Sequence, residues 1–219
     1  MAKKARDEKY QYDEPLTPQN LDSGVIVSPD THRRDRLPPG QSRTRKWPVL
    51  DASGTPDVAA TTWELNVLGL VTKPLTFNLA EFQRLPRVKV FADFHCVTHW
   101  SRLGNLWEGV STRELIDRSG ACQEAKFVVL HGYDNGWSTN LSLTDFLAAD
   151  ALIADLHDGT PISADHGGPV RAMVPQRYAW KSAKWLKAIE LVATDQPGYW
   201  ERCGYHNQGD PWNEERFGG

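Results

Sequence analysis

From Arg87 to His95 apolar and polar positions alternate, with Val88, Val90, Ala92 and Phe94 on one side and Arg87, Lys89, Phe91 and Asp93 on the other. A period of two predicts a strand with at least one buried face, ending at Cys96. Upstream, Trp63, Leu65, Val67 and Leu70 mark a second strand that runs to Gly69, and Thr72-Lys73-Pro74 turns it into a short partner at Leu75–Phe77. Asn78 then caps a short helix carrying Leu79, Phe82 and Leu85, which Pro86 ends. Between His95 and Trp107, the run of His99, Trp100, Ser101, Arg102, Gly104 and Asn105 reads as loop rather than strand or helix. Ser111 and Glu114 have the spacing of a capping box, opening a helix from Thr112 to Arg118 that Gly120 stops.

Further along, Phe127–Leu130 is an apolar run of buried-strand type, and Asp134-Asn135-Gly136 turns it into Trp137–Leu143. Ser142 with Asp145 opens a short helix reaching Ala149, and Ala151–Leu156, Val170–Val174 and Ala188–Ala193 read as strands. Strands and helices do not alternate regularly. The fold class is therefore α+β with mixed sheets rather than doubly wound.

The 219 residues fit one sizeable core. Residues 1–20 are charged and proline-bearing and are expected to be a flexible tail; residues 21–219 form a single domain, with an aromatic-rich arm over 196–219 that closes one side of the site. The 25 basic and 28 acidic residues, a formal charge of -3, argue against a nucleic-acid or membrane-surface binder and for a small-molecule substrate. No apolar run is long enough to span a membrane, and the first residues lack the apolar stretch of a secretory signal. Three widely spaced cysteines, an odd number, suit reduced thiols, so a cytoplasmic location is expected.

Cys96 is the first candidate for chemistry. An unpaired cysteine is commonly a small apolar filler. Here His95, His99 and Arg102 stand close in sequence, groups that favour the thiolate, the form that binds metals and attacks electrophiles. A second group of candidates lies downstream. Arg171 interrupts the apolar run Val170–Val174 and needs a partner if buried, either an anionic ligand or an aspartate. Between Gln176 and Trp185, cations, a hydroxyl and aromatics alternate in the way a phosphate site wants. Arg43, Arg45 and Lys46 before Trp47 are either solvated or reach an anion.

The run HCVTHWS followed by WEGV and a helix resembles the molybdopterin-binding domain of the sulfite oxidase family. WELNVLGLVTKPLTFNLAEFQRLP before it, and KFVVLHGYDNGW and GGPVRAMVPQRYAWKSAKWLKAIEL after it, follow in the family's order and cover roughly residues 45–195. The resemblance implies the family's fold, a molybdenum-molybdopterin cofactor, and Cys96 as the metal ligand. It implies cofactor contacts at Arg45, Trp47, His95, Cys96, Gly132, His166, Arg171, Tyr178, Lys181, Ser182, Ala183 and Lys184, and catalytic roles at Cys96, His99, Trp100 and Arg102. The implied activity is oxygen-atom transfer on a small sulfur- or nitrogen-containing substrate, with an electron donor or acceptor as partner. With one arginine after the cysteine, the motif is nearer to members resembling the methionine-sulfoxide reductase catalytic subunit than to true sulfite oxidases. Two other readings stay open on the residues alone. One is a cysteine hydrolase with His99 or His166 as base, and the other is a domain that has lost its cofactor.

Overall fold

The computed structural model describes residues 16–218, so the expected tail falls largely outside the described residues. In chain order the strands are β1 (Ile26–Val27), β2 (Ser42–Thr44), β3 (Glu64–Gly69), β4 (Leu75–Asn78), β5 (Val88–His95), β6 (Trp100–Ser111), β7 (Phe127–Gly132), β8 (Ser138–Ser142), β9 (Leu152–His157), β10 (Thr160–Pro161), β11 (Arg171–Met173) and β12 (Leu186–Val192). The helices are α1 (Leu79–Gln83), α2 (Thr112–Ser119), α3 (Leu143–Phe146) and α4 (Tyr199–Arg202). One sheet runs β1-β5-β6-β9-β10, with β11 paired to β9 and β2 to β6; the other runs β4-β3-β12-β7-β8. Both are mixed, since β1–β5, β2–β6 and β3–β12 are parallel pairs and the rest antiparallel. The α+β class with mixed sheets is thus what the chain adopts.

Local chemistry explains the short helices. Asn78 accepts from the Glu81 N–H while Glu81 reaches back to the Asn78 N–H, a complete capping box. At α2 the expected box is only half formed. Ser111 accepts from the Arg113 N–H, and Glu114 pairs instead with Arg118 one turn on. At α3, Ser142 accepts from Asp145 as its spacing predicts.

The clearest departure lies after Cys96. Trp100–Ser111 is a strand of twelve residues rather than a loop, paired antiparallel with β5 from Val88↔Gly109 to His95↔Ser101. Its polar residues misled the sequence reading because Ser101, Arg102 and Asn105 are buried and satisfied by one another and by neighbouring strands. The true loop is only the turn at Cys96–His99, where the Cys96 N–H donates to Trp100 O and His99 adopts φ 69°.

The larger core packs the β3-β12-β7 face against α1 and α2 through Trp63, Leu65, Phe82, Leu115, Leu130 and Ile189. A second cluster under β5, β6 and β9 includes Val90, Phe94, Trp107 and Met173. A third is small: Cys96, Val97, Tyr178 and Trp180, with Trp100, Trp200 and Tyr205 against it.

Candidate functional site

Because β5 alternates its faces, Phe94 and Cys96 point to one side and His95 to the other. On the first side a cavity of about 190 Å³ opens between the two sheets, lined at one end by Cys96, Thr98, Trp100 and Trp180 and elsewhere by Trp47, Asp134, Arg171, Ser182 and Lys184. The Cys96 thiol is buried. Burial pushes its pKa up, opposed by a hydrogen bond from Thr98 Oγ1 at 3.2 Å and, more weakly, by the Arg216 charge. Its carbonyl accepts from Gln41 Nε2 at 3.0 Å, while Arg216 Nη1 donates to Val97 O at 2.7 Å. The turn that presents the sulfur is therefore fastened by residues from both ends of the chain.

Arg171 is wholly buried. Its guanidinium donates to His166 O at 2.7 Å and Ser182 O at 3.0 Å and lies 5.4–5.7 Å from the ring centres of Phe94, Trp47 and Trp107. Among the described residues no carboxylate comes within ion-pair distance of Arg171, so the aspartate alternative is not realised. Lys184 is half-buried and likewise lacks a carboxylate partner, its Nζ donating to Asp165 O at 2.9 Å. Burial first, then the Arg171 charge, lowers its ammonium to about 8, with Asp51, Asp165 and Asp134 acting the opposite way. A buried and a half-buried cation without carboxylate partners, lining one cavity, suit an anionic ligand.

Asp134, which the sequence reading passed over as a turn residue, faces the same space. Its Oδ1 is buried without a hydrogen-bond partner, and burial raises the carboxyl to about 6. It fills the place of a side chain that Gly132 lacks: a Cβ there would stand 2.1 Å from Asp134 Oδ1. Trp137 and Trp185 also line the cavity and carried no sequence signal beyond being aromatic, while Trp200 and Tyr205 line it from the aromatic-rich arm over 196–219.

The other expected site residues divide. Trp47 lines the cavity and stacks on His166, ring centres 3.8 Å apart and 9° from parallel; burial holds the His166 imidazole down to about 4. Ser182 also lines it, accepting from Val174 N through its hydroxyl, and Tyr178 stacks beside Trp180 under Cys96. Ala183 is buried in backbone pairing with Ala172, and Gly132 closes β7 by donating to Trp137 O. Arg45 is exposed.

Four expected residues are turned elsewhere. His95 points away from the cavity, bonded to Ser101 Oγ at 2.8 Å and edge-on to Trp212. His99 is exposed, its Nδ1 2.8 Å from Gly40 O. Arg102 pairs with Asp158 at 2.6 Å, and with Asn105 and His157, outside the cavity lining. Lys181 is fully buried but bonded to Glu201 at 2.6 Å and to Asn140. Proximity in sequence placed these beside Cys96 or the phosphate; strand alternation and acidic partners far along the chain take them away. Neither His99 nor His166 bonds to the Cys96 sulfur, so no Cys-His pair of a hydrolase is assembled.

A family model described as the oxidoreductase molybdopterin binding domain matches residues 52–200. The chain belongs to this family. It is 44% identical to the uncharacterized oxidoreductase YuiH of Bacillus subtilis over 83% of this chain and 92% of that one. It is 26% identical to the protein-methionine-sulfoxide reductase catalytic subunit MsrP of Campylobacter jejuni over 64% of this chain. The chain spans about half the length of that relative, 52%, and only 18% of a nitrate reductase of Aspergillus niger. Among solved structures, the sulfane dehydrogenase SoxCD of Paracoccus pantotrophus superposes with a TM-score of 0.60, covering 64% of this chain and 41% of that one at 21% identity, which supports the shared fold. The protein is a molybdopterin-binding oxidoreductase, and the residues present fit that group. A buried thiol suits a soft metal, and two uncompensated cations suit the pterin's phosphate. No helix among the described residues is long and apolar enough to cross a membrane.

Proposed function

We propose that the protein transfers an oxygen atom between a small substrate and a molybdenum centre ligated by the Cys96 sulfur, exchanging electrons with a redox partner. The observation that carries this is one cavity lined both by a buried cysteine and by Arg171 and Lys184, which have no carboxylate partners among the described residues. When bound, the molybdenum-pterin group supplies the two-electron redox chemistry. The chain's own residues position it. Cys96 offers sulfur from a turn locked by Gln41 and Arg216. Arg171 and Lys184 would hold the pterin's phosphate by charge-assisted hydrogen bonds. Asp134 Oδ1 offers an acceptor to pterin N–H groups. Trp47, held flat by His166, walls the cavity against water.

A cysteine raised by burial and lacking an imidazole partner is a poor nucleophile at neutral pH, which leaves the hydrolase reading without support. The test is elemental and pterin analysis of protein purified from a host that makes the cofactor. About one molybdenum and one pterin per chain is expected, and protein from a pterin-deficient host should be inactive. Full activity in that second preparation would overturn the assignment.

A further inference from the structure

The Cys96 sulfur is met by hydrogen-bond donors that its own turn supplies. Thr98 lines the cavity with its Oγ1 3.2 Å from the sulfur, and the backbone N–H groups of Thr98 and Val97 hydrogen-bond to the sulfur as well. All three favour the charged sulfur over the thiol, against the burial that opposes it. Only 7% of Cys96 is exposed, so water is a poor substitute for a donor lost from this set.

The carbonyls of the turn explain how the two amides come to reach the sulfur. In a planar trans peptide the N–H points opposite to the C=O. The Cys96 carbonyl accepts from Gln41 Nε2 at 3.0 Å and the Val97 carbonyl from Arg216 Nη1 at 2.7 Å, and neither Gln41 nor Arg216 lines the cavity. With both carbonyls drawn to that side, the Val97 and Thr98 amides are left on the other. The far end of the turn is pinned too. His99 N donates to Cys96 O at 3.1 Å, His99 Nδ1 lies 2.8 Å from Gly40 O, and Ser42 N donates to His99 O at 2.9 Å. Of the three donors, the Thr98 hydroxyl alone comes from a side chain, and the turn that carries it is fixed at both ends.

Resting on the molybdenum reading above, we propose that Thr98 sets the redox potential of the site: its hydroxyl, donating to the ligating sulfur, makes the bound metal easier to reduce. Reduction leaves more negative charge on the metal and on the sulfur bound to it, so a hydrogen bond to that sulfur is stronger in the reduced form and stabilises it. Cys96 serves to bind the metal; Thr98 serves to fix how readily the bound metal takes an electron from the redox partner.

The experiment is a redox titration of metal-replete protein followed by electron paramagnetic resonance, with molybdenum and pterin content measured beforehand. Thr98→Val keeps the branched shape and removes the donor. At unchanged metal content its one-electron potential should fall by about 30–60 mV, a roughly three- to tenfold change in the reduction equilibrium. Thr98→Ser restores a hydroxyl and should stay within about twofold of the unmodified protein in the same equilibrium. Thr98→Ala also lacks the donor, so it should fall with the valine variant and takes its place if that variant loads poorly. An unchanged or raised potential in loaded valine or alanine variants, or a serine variant that falls as far as they do, would overturn the proposal. Failure of the molybdenum reading shows differently, as protein that takes up no metal with threonine in place.

Discussion

Arg171 and Lys181 are both wholly buried cations ten residues apart, and they do opposite work. Lys181 meets Glu201 and the Asn140 side chain and carbonyl, so its charge is answered within the protein. Arg171 meets three carbonyls and three aromatic rings, and no carboxylate answers its charge among the described residues. Arg102 with Asp158 belongs with Lys181, and Lys184 belongs with Arg171. A buried cation reports on function only through what it lacks. The paired ones hold the walls in place; the unpaired ones cost stability until a ligand arrives.

The largest effect expected from breaking this contrast is at Arg171. Charge-assisted hydrogen bonds are worth roughly 1.5–3 kcal/mol each, so Arg171→Ala should lower pterin and molybdenum content by about tenfold or more. Cofactor analysis of the purified variant checks this, and normal loading would place the phosphate elsewhere.

Lys181→Met should fail in a different way. It leaves the Glu201 carboxylate buried without its cation, at a cost of roughly 3–5 kcal/mol and a Tm lower by about 6–20 °C. Folded protein should still load cofactor. Adding Glu201→Gln removes the stranded charge while keeping an acceptor for Trp180 Nε1, and should recover most of the loss in a thermal melt. Arg102→Met should cost less, roughly 1.5–3 kcal/mol, because Asp158 keeps the Leu106 N–H as a donor.

The smallest effect sharpens the comparison by its sign. The Lys184 ammonium is lowered from 10.5 to about 8 in the folded chain. Below about pH 8 both folded and unfolded chains carry the proton, and the cost of burying it is present in full. Between 8 and 10.5 the unfolded chain binds more protons, so stability rises with pH and the cost is relieved. Cofactor-free Lys184→Met should therefore melt above the unmodified protein at pH 7, with the gain fading toward pH 10. Affinity of the cofactor-free protein for inorganic phosphate should move the other way, falling as pH passes about 8. Melting curves and calorimetric titrations across that range check both.

These contrasts also mark what sequence could reveal. Apolar spacing located β3, β5, β7 and β12, and the Asn78 and Ser142 caps located α1 and α3, because each rests on neighbours in the chain. Arg171 stood out as a charge within an apolar strand, and its environment matches that reading. Lys181 and Arg102 looked no different, since Glu201 and Asp158 that neutralise them lie 20 and 56 residues away. The strand after Cys96 was hidden because its buried polar residues satisfy one another, which only a paired sheet reveals. His95 was placed at the site by adjacency to Cys96, although a strand sends adjacent residues to opposite faces. Asp134 was invisible for the converse reason, as its role depends on the empty space at Gly132.

The central claim is that the Cys96 sulfur is a metal ligand, and the absorption spectrum of Cys96→Ser beside the unmodified protein tests it most directly. A hydroxyl is a harder and far less acidic donor than a thiol. The variant should lose the sulfur-to-metal absorption and all turnover while retaining pterin, since its phosphate is proposed to sit at Arg171 and Lys184 instead. Cys122→Ser and Cys203→Ser should leave spectrum and rate nearly unchanged, since Cys203 is exposed and neither lines the cavity. Molybdenum still bound to Cys96→Ser with its spectrum unaltered would contradict the account.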